Sequence, residues 1–109
     1  MNLELAGKTA LVTGASAGIG HGIARALAAE GVRVAISARR VDKLEALSDL
    51  IVAGGGPPPV IIETDLYQDD AARRLAEAAR EGLGQVDILV NNAGGSRAFK
   101  TLHVSEDAW

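Results

Sequence analysis

Four short apolar runs alternate along the chain with three longer stretches of helical period. Thr9-Ala10-Leu11-Val12 breaks into Gly14; Val32, Val34, Ala35 and Ile36 form a second run, Val60-Ile61-Ile62 a third, and Val86 with Ile88-Leu89-Val90 a fourth. These runs are apolar on both faces, as expected of parallel strands covered on both sides. The first helix is predicted from about Gly18 to Glu30, with Ile19, Ile23 and Leu27 as its inner stripe, His21 and Arg25 on another face, and Gly31 placed to stop it. The second runs from about Val41 to Ala53, with Leu44, Leu47, Leu50 and Ile51 inward, and ends in Gly54-Gly55-Gly56. The third runs from about Asp69 to Glu81 over a stripe of Ala72, Leu75, Ala76, Ala79 and Leu83. Arg73 and Glu77 pair at i,i+4 on its outer face, and Asp69, Asp70 and Arg80 sit at the ends that suit the helix dipole.

Strands alternating with helices through right-handed crossovers give an α/β fold, a Rossmann-type doubly wound parallel sheet with strand order 3-2-1-4. No linker or repeat divides the 109 residues, which read as one domain. Pro57-Pro58-Pro59 reads as a stiff, extended entry into the third strand. A proline-rich recognition motif is the alternative there, without a wider PxxP context to support it.

Composition narrows the chemistry. Glycine accounts for 13 residues and the aromatics for three, a balance that suits close-packed α/β layers. The absence of cysteine excludes a disulfide framework, a zinc–thiolate site and a thiol nucleophile. A net charge of −3 offers no basic excess for nucleic acid or an anionic membrane. No apolar run approaches the roughly 18 residues of a membrane span, and Met1–Lys8 lacks the pattern of a signal peptide; a cytoplasmic protein is expected. His21 is read as a solvated helical histidine rather than one near phosphate at a helix start, and His103 has no partner at ligand spacing, so no metal site is expected.

The most informative segment is Thr13-Gly14-Ala15-Ser16-Ala17-Gly18-Ile19-Gly20, which joins the first strand to the first helix. Gly14 permits a sharp turn, Gly18 lets backbone approach a pyrophosphate, and Gly20 lets the helix sit close to the sheet. The helix N-terminus beyond presents free N–H groups and a positive partial charge to phosphates. The spacing is neither G-x-G-x-x-G nor a P-loop. After the second strand, where an acid would hold a ribose diol, Ala38 stands instead, followed by Arg39-Arg40. Guanidinium forks match a phosphate, so NADP is favoured over NAD; a solvated basic pair is the plainer reading. Asp42 lies too far on for the diol and is expected to start the second helix. Asn91-Asn92-Ala93-Gly94 ends the fourth strand beside the first, at the topological switch point where open α/β sheets bind ligands.

The Thr13–Gly20 loop resembles the TGxxxGxG loop of the short-chain dehydrogenase/reductase family. Asn91–Gly94 resembles that family's NNAG motif, and Asp65-Leu66 its acidic–apolar pair after the third strand. The likeness runs from Leu5 to Trp109 and is greatest to single-domain members such as 3-oxoacyl-acyl-carrier-protein reductase. It implies cofactor contacts from Gly14, Ser16, Gly18, Ile19, Gly20, Asp65, Leu66, Asn91, Asn92, Ala93 and Gly94, beside Arg39 and Arg40. In particular, Asp65 would accept from the adenine amine and the Leu66 N–H would donate to the ring. A turn before the third helix is the plain alternative for Asp65. Ala17 departs from the basic residue that many NADP-dependent members carry there.

The family's acid/base pair, Tyr-x-x-x-Lys, is not in these residues: the single tyrosine, Tyr67, is followed four positions later by Ala71. Ser96 is read as an ordinary loop serine rather than a pocket residue. Ser105–Trp109 reads as the first turn of a further helix, with Ser105 as N-cap. The expectation is therefore the N-terminal part of a longer single-domain oxidoreductase, with a small carbonyl or alcohol substrate and a homo-oligomeric full-length form. A non-catalytic dinucleotide-binding module with a sensory or scaffolding role is the alternative.

Overall fold

The structure is a computed structural model, and it describes residues 5–65 and 67–92. The expectations placed on Leu66, Ala93, Gly94, Ser96, His103 and Ser105–Trp109 lie outside the described residues. In chain order the elements are β1 (Thr9–Thr13), α1 (Gly18–Ala29), β2 (Arg33–Ala38), α2 (Val41–Ala53), β3 (Val60–Glu63), α3 (Ala71–Leu83) and β4 (Ile88–Val90). All strand pairs are parallel and the order is β3-β2-β1-β4, as the alternating pattern predicts.

Side-chain alternation along the central strands builds the two faces. Ala10, Val12, Val34 and Ile36 point to the side covered by α1 and α2, where they meet Ala24, Ala28, Leu44, Leu47 and Ile51. Leu11 and Ala35 point to the other side, where α3 lays Ala71, Ala72, Leu75, Ala79 and Leu83 against them. β1 is buried along its whole length, whereas β4, at the sheet's edge, is only half-buried. Truncating a buried leucine such as Leu44 or Leu47 would cost about 2–5 kcal/mol. The layers are therefore held by apolar contact and not by the solvent-exposed Arg73–Glu77 pair at 3.2 Å.

Two helical stripes differ from expectation. In α1 the buried residues are Gly20, Ala24 and Ala28, while Ile19 is 72% exposed and Ile23 and Leu27 are half-buried. The helix lies close to the sheet, so small side chains take the centre of the contact, while Leu27 packs against the core from its edge and Ile19 is displaced outward. In α2 Leu44, Leu47 and Ile51 are buried, but Leu50 faces out. α1 closes where expected: the N–H of Gly31 donates to Ala28 O and that of Val32 to Leu27 O, a Schellman closure. α3 starts two residues later than expected because Asp70 is left-handed, with φ 62°, and sits before the helix as its cap position.

At the N-terminal end of the sheet, β4 is pinned to β1 by a hydrogen-bonded knot. The Thr9 N–H donates to Asp87 Oδ2 at 3.0 Å, the Thr9 hydroxyl donates to Gln85 O at 2.8 Å, and the Asp87 N–H donates to Thr9 O at 3.1 Å. Gln85 Nε2 donates to the second carboxylate oxygen at 3.1 Å. The donated Thr9 N–H, above all, holds the Asp87 carboxyl below its ordinary pKa, with smaller help from Lys8 and the Gln85 amide. A lowered folded-state pKa means that the ionised form stabilises the fold above the unfolded carboxyl's pKa, about 3.9, and that this is lost as pH falls through the folded value. Asp87→Ala is expected to lower Tm at pH 7, with the deficit shrinking below about pH 4. Thermal unfolding across pH checks this; a deficit that persists unchanged in acid would assign the effect to packing instead.

Candidate functional site

The strands' C-terminal ends form one rim, and the strand order reverses there between β1 and β4. The loop leaving β1 needs glycine for two distinct reasons. Gly14 and Gly18 hold φ of 62° and 61°, in the left-handed region. Gly20 is excluded from bearing a side chain by its neighbours: a Cβ there would run into the Gly14 carbonyl and lie 2.7 Å from Asn92 Nδ2. Ala15, fully buried, ties the loop to β2 by donating its N–H to Ser37 O at 3.1 Å. The result is a cradle open on its outer side, with Ser16 half-buried and Ala17, Gly18 and Ile19 exposed.

The start of α1 faces that cradle without a side-chain cap. Its N-cap position is Ala17, which has no side-chain acceptor to offer, and the first turn carries no acidic residue. The N–H groups of the first turn and the positive end of the dipole are thus left to an external anion. α2 and α3 also lack a side-chain cap bond, but each has a carboxylate at its start, Asp42 in the first turn of α2 and Asp70 at the cap position of α3.

On the β4 side, Thr13 stitches two strand ends together. Its hydroxyl donates to Val90 O at 3.3 Å and accepts the Asn92 N–H at 2.9 Å. This fixes the Asn91-Asn92 turn beside the glycine loop. Asn91 Oδ1 is buried and has no partner among the described residues, which leaves its acceptor capacity unused.

On the β2–β3 side the polar residues are separated in their roles. Ala38 is in register with Glu63, and the Thr64 N–H donates to Ala38 O at 3.0 Å. Arg40 is exposed and engaged by Asp42 in a two-pronged pair at 3.1 and 2.9 Å, which holds the Asp42 carboxyl below its ordinary range. Arg39 instead lines an open cleft of about 430 Å³ with Glu63, Asp65, Gln68 and Arg74. Asp65 Oδ1 accepts the Tyr67 N–H at 3.0 Å, an Asx-type turn, so the turn expected as the plain alternative is present. The carboxylate also lines the cleft, and the turn does not exhaust its acceptor capacity.

The rim thus brings Gly14, Ser16, Gly18, Ile19, Gly20, Asn91 and Asn92 to one side, and Arg39 and Asp65 to the adjoining cleft. Arg40 points its fork to Asp42, and His21 is half-buried on α1. Sequence reading did not single out Thr13 as the fastener, although a hydroxyl ending an otherwise apolar strand was the available signal. Nor did it single out Glu63, Gln68 and Arg74, whose convergence depends on where α3 lies. Among the described residues no cluster of His, Cys, Asp and Glu could hold a metal ion, and no helix is long and apolar enough to cross a membrane.

Comparison with known proteins agrees with this architecture. The chain is 38% identical over 109 residues to the 3-oxoacyl-[acyl-carrier-protein] reductase of Escherichia coli K12, covering 100% of this chain and 42% of that relative. A metagenomic short-chain oxidoreductase solved in complex with NADP superposes with a TM-score of 0.76 at 46% identity, over 83% of this chain and 40% of that one. The 3-ketoacyl-(acyl-carrier-protein) reductase of Brucella melitensis, solved with NADH, superposes with a TM-score of 0.82 at 28% identity, over 93% of this chain and 49% of that one. The chain therefore spans half or less of the length of these three proteins. The short chain dehydrogenase family model matches residues 8–109, and the chain belongs to that family.

Proposed function

We propose that these residues form the cofactor-binding part of an NADP(H)-dependent oxidoreductase that moves hydride between a nicotinamide and a carbonyl or alcohol carbon. The observation that carries this reading is the glycine cradle: two left-handed glycines and a third with no room for a Cβ, set against an uncapped helix N-terminus. That donor set fits a pyrophosphate. Ser16 and Ile19 border the cradle, and Asn91 and Asn92, with Ala93 and Gly94 of the same motif, line the ribose. Asp65 accepts from the adenine amine, and Leu66 donates its N–H to the ring. Ala38 leaves the adenosine ribose without the usual diol acceptor after β2, while Arg39, with Arg40 nearby, supplies positive charge for a 2′-phosphate. When bound, the nicotinamide supplies the hydride chemistry at its C4.

The proton that must accompany hydride comes from a Tyr-x-x-x-Lys pair elsewhere in the full-length protein, as the family resemblance implies, because Tyr67 is followed by Ala71 and not by lysine. A dinucleotide-binding module without turnover is the alternative reading. Sequence encoded downstream of Trp109 separates the two: an in-frame Tyr-x-x-x-Lys supports the enzyme. A small carbonyl or alcohol substrate, a cytoplasmic setting and a homo-oligomeric full-length form belong to the first reading.

Three outcomes test these assignments. Gly18→Val and Gly20→Ala should each weaken NADPH binding at least tenfold, the first by strain at positive φ and the second by driving α1 from the loop. Calorimetry on variants with wild-type circular dichroism reads this, and tight binding by both would remove the cradle from the mechanism. Ala38→Asp should place a carboxylate against the 2′-phosphate and move the KM ratio toward NADH; an unchanged ratio would place cofactor selection elsewhere. Residues 1–109 expressed alone should oxidise NADPH at background rate with any carbonyl compound, since losing a general acid costs about 10²–10⁴-fold. Measurable turnover by the purified piece would show that the acid lies within it.

A further inference from the structure

We propose that Arg74, on α3, is a second guanidinium for the cofactor's 2′-phosphate, lining with Arg39 the cleft at the ends of β2 and β3; this rests on the NADP(H) reading above. Arg40, the neighbour that sequence alone pairs with Arg39, turns to Asp42 in an exposed pair at 3.1 and 2.9 Å and does not line the cleft. Arg74 lines the same cleft of about 430 Å³ as Arg39, and its residues are all polar. One Arg74 nitrogen donates to Asp69 O at 3.2 Å, which anchors the side chain against the loop before α3 and leaves most of its five N–H donors unused. Among the described residues neither Arg39 nor Arg74 has a carboxylate within ion-pair distance, although Glu63 and Asp65 line the same cleft.

Two cations and two carboxylates around one opening discriminate sharply by charge. Asp65 keeps its charge when it receives the adenine amine, so both carboxylates count against the two guanidinium groups of the cleft. A phosphate monoester carries close to two negative charges at neutral pH. It gains from both guanidinium groups and is opposed by the two carboxylates, whereas an uncharged ribose diol gains no charge attraction from Arg74. The specificity of the site is thereby spread over two elements, the turn after β2 and the first turns of α3.

The test uses the full-length protein and calorimetric titration with NADPH, NADH and adenosine 2′,5′-bisphosphate. Arg74→Gln should weaken NADPH and the bisphosphate about tenfold, a single charge-assisted contact, and leave NADH unchanged. Arg74→Lys should restore part of the loss, and Glu63→Gln should move NADPH affinity the opposite way. Unchanged NADPH affinity in Arg74→Gln overturns the proposal, and so does an equal loss for NADPH and NADH, which would mark a structural role. Wild-type protein that binds neither dinucleotide would instead sink the cofactor reading itself, and wild-type preference for NADPH abolished by Arg39→Gln but not by Arg74→Gln would sink only the role of Arg74.

Discussion

The site depends on how closely α1 approaches the turn that feeds it. At Gly20 the helix meets the Gly14 carbonyl and the Asn92 side-chain amide with no space for even a methyl group. The same closeness continues along the helix, where Ala24 and Ala28 are the buried residues and the branched side chains are pushed aside. A longer side chain on that line would lift α1 away from β1 and carry its first N–H groups out of line with the loop. Small residues are therefore what hold the positive end of α1 over the rim, and Thr13 then holds the β4 turn to the same place.

That closeness also explains which features were legible in the sequence. Strand order, the extents of α1 and α2 and the two-faced sheet follow from continuous apolar runs and helical spacing, signals strong enough to survive without tertiary context. The inner face of α1 was misread because Ile19, Ile23 and Leu27 give a stronger apolar period than Gly20, Ala24 and Ala28. A helix seated tightly on a sheet inverts that ranking by shape: the stripe with the least volume goes in. Leu50 fails for a related reason, since Leu44, Leu47 and Ile51 already fill the contact width of α2. The glycine loop was legible because its turns require particular backbone angles, which only particular residues supply. Arg74 was not, because its nearness to Arg39 is created by the placement of α3 and by nothing local to either residue.

The two ends of the sheet show how the fold separates rigidity from binding. At the N-terminal end Thr9, Gln85 and Asp87 spend their polar groups on one another, and the carboxyl is held ionised by donors from the protein itself. At the C-terminal rim the balance reverses. The start of α1 lacks a cap, Asn91 Oδ1 is buried without a partner among the described residues, and Arg39 faces open space instead of an ion pair. Of these groups only Asn91 Oδ1 is desolvated, and a missing hydrogen bond there costs free energy; the exposed start of α1 and Arg39 are served by water until an anion replaces it. The rim's unmet donors fit phosphate. That is the chemistry a dinucleotide brings, and it follows from the same strand ends that the glycines shape.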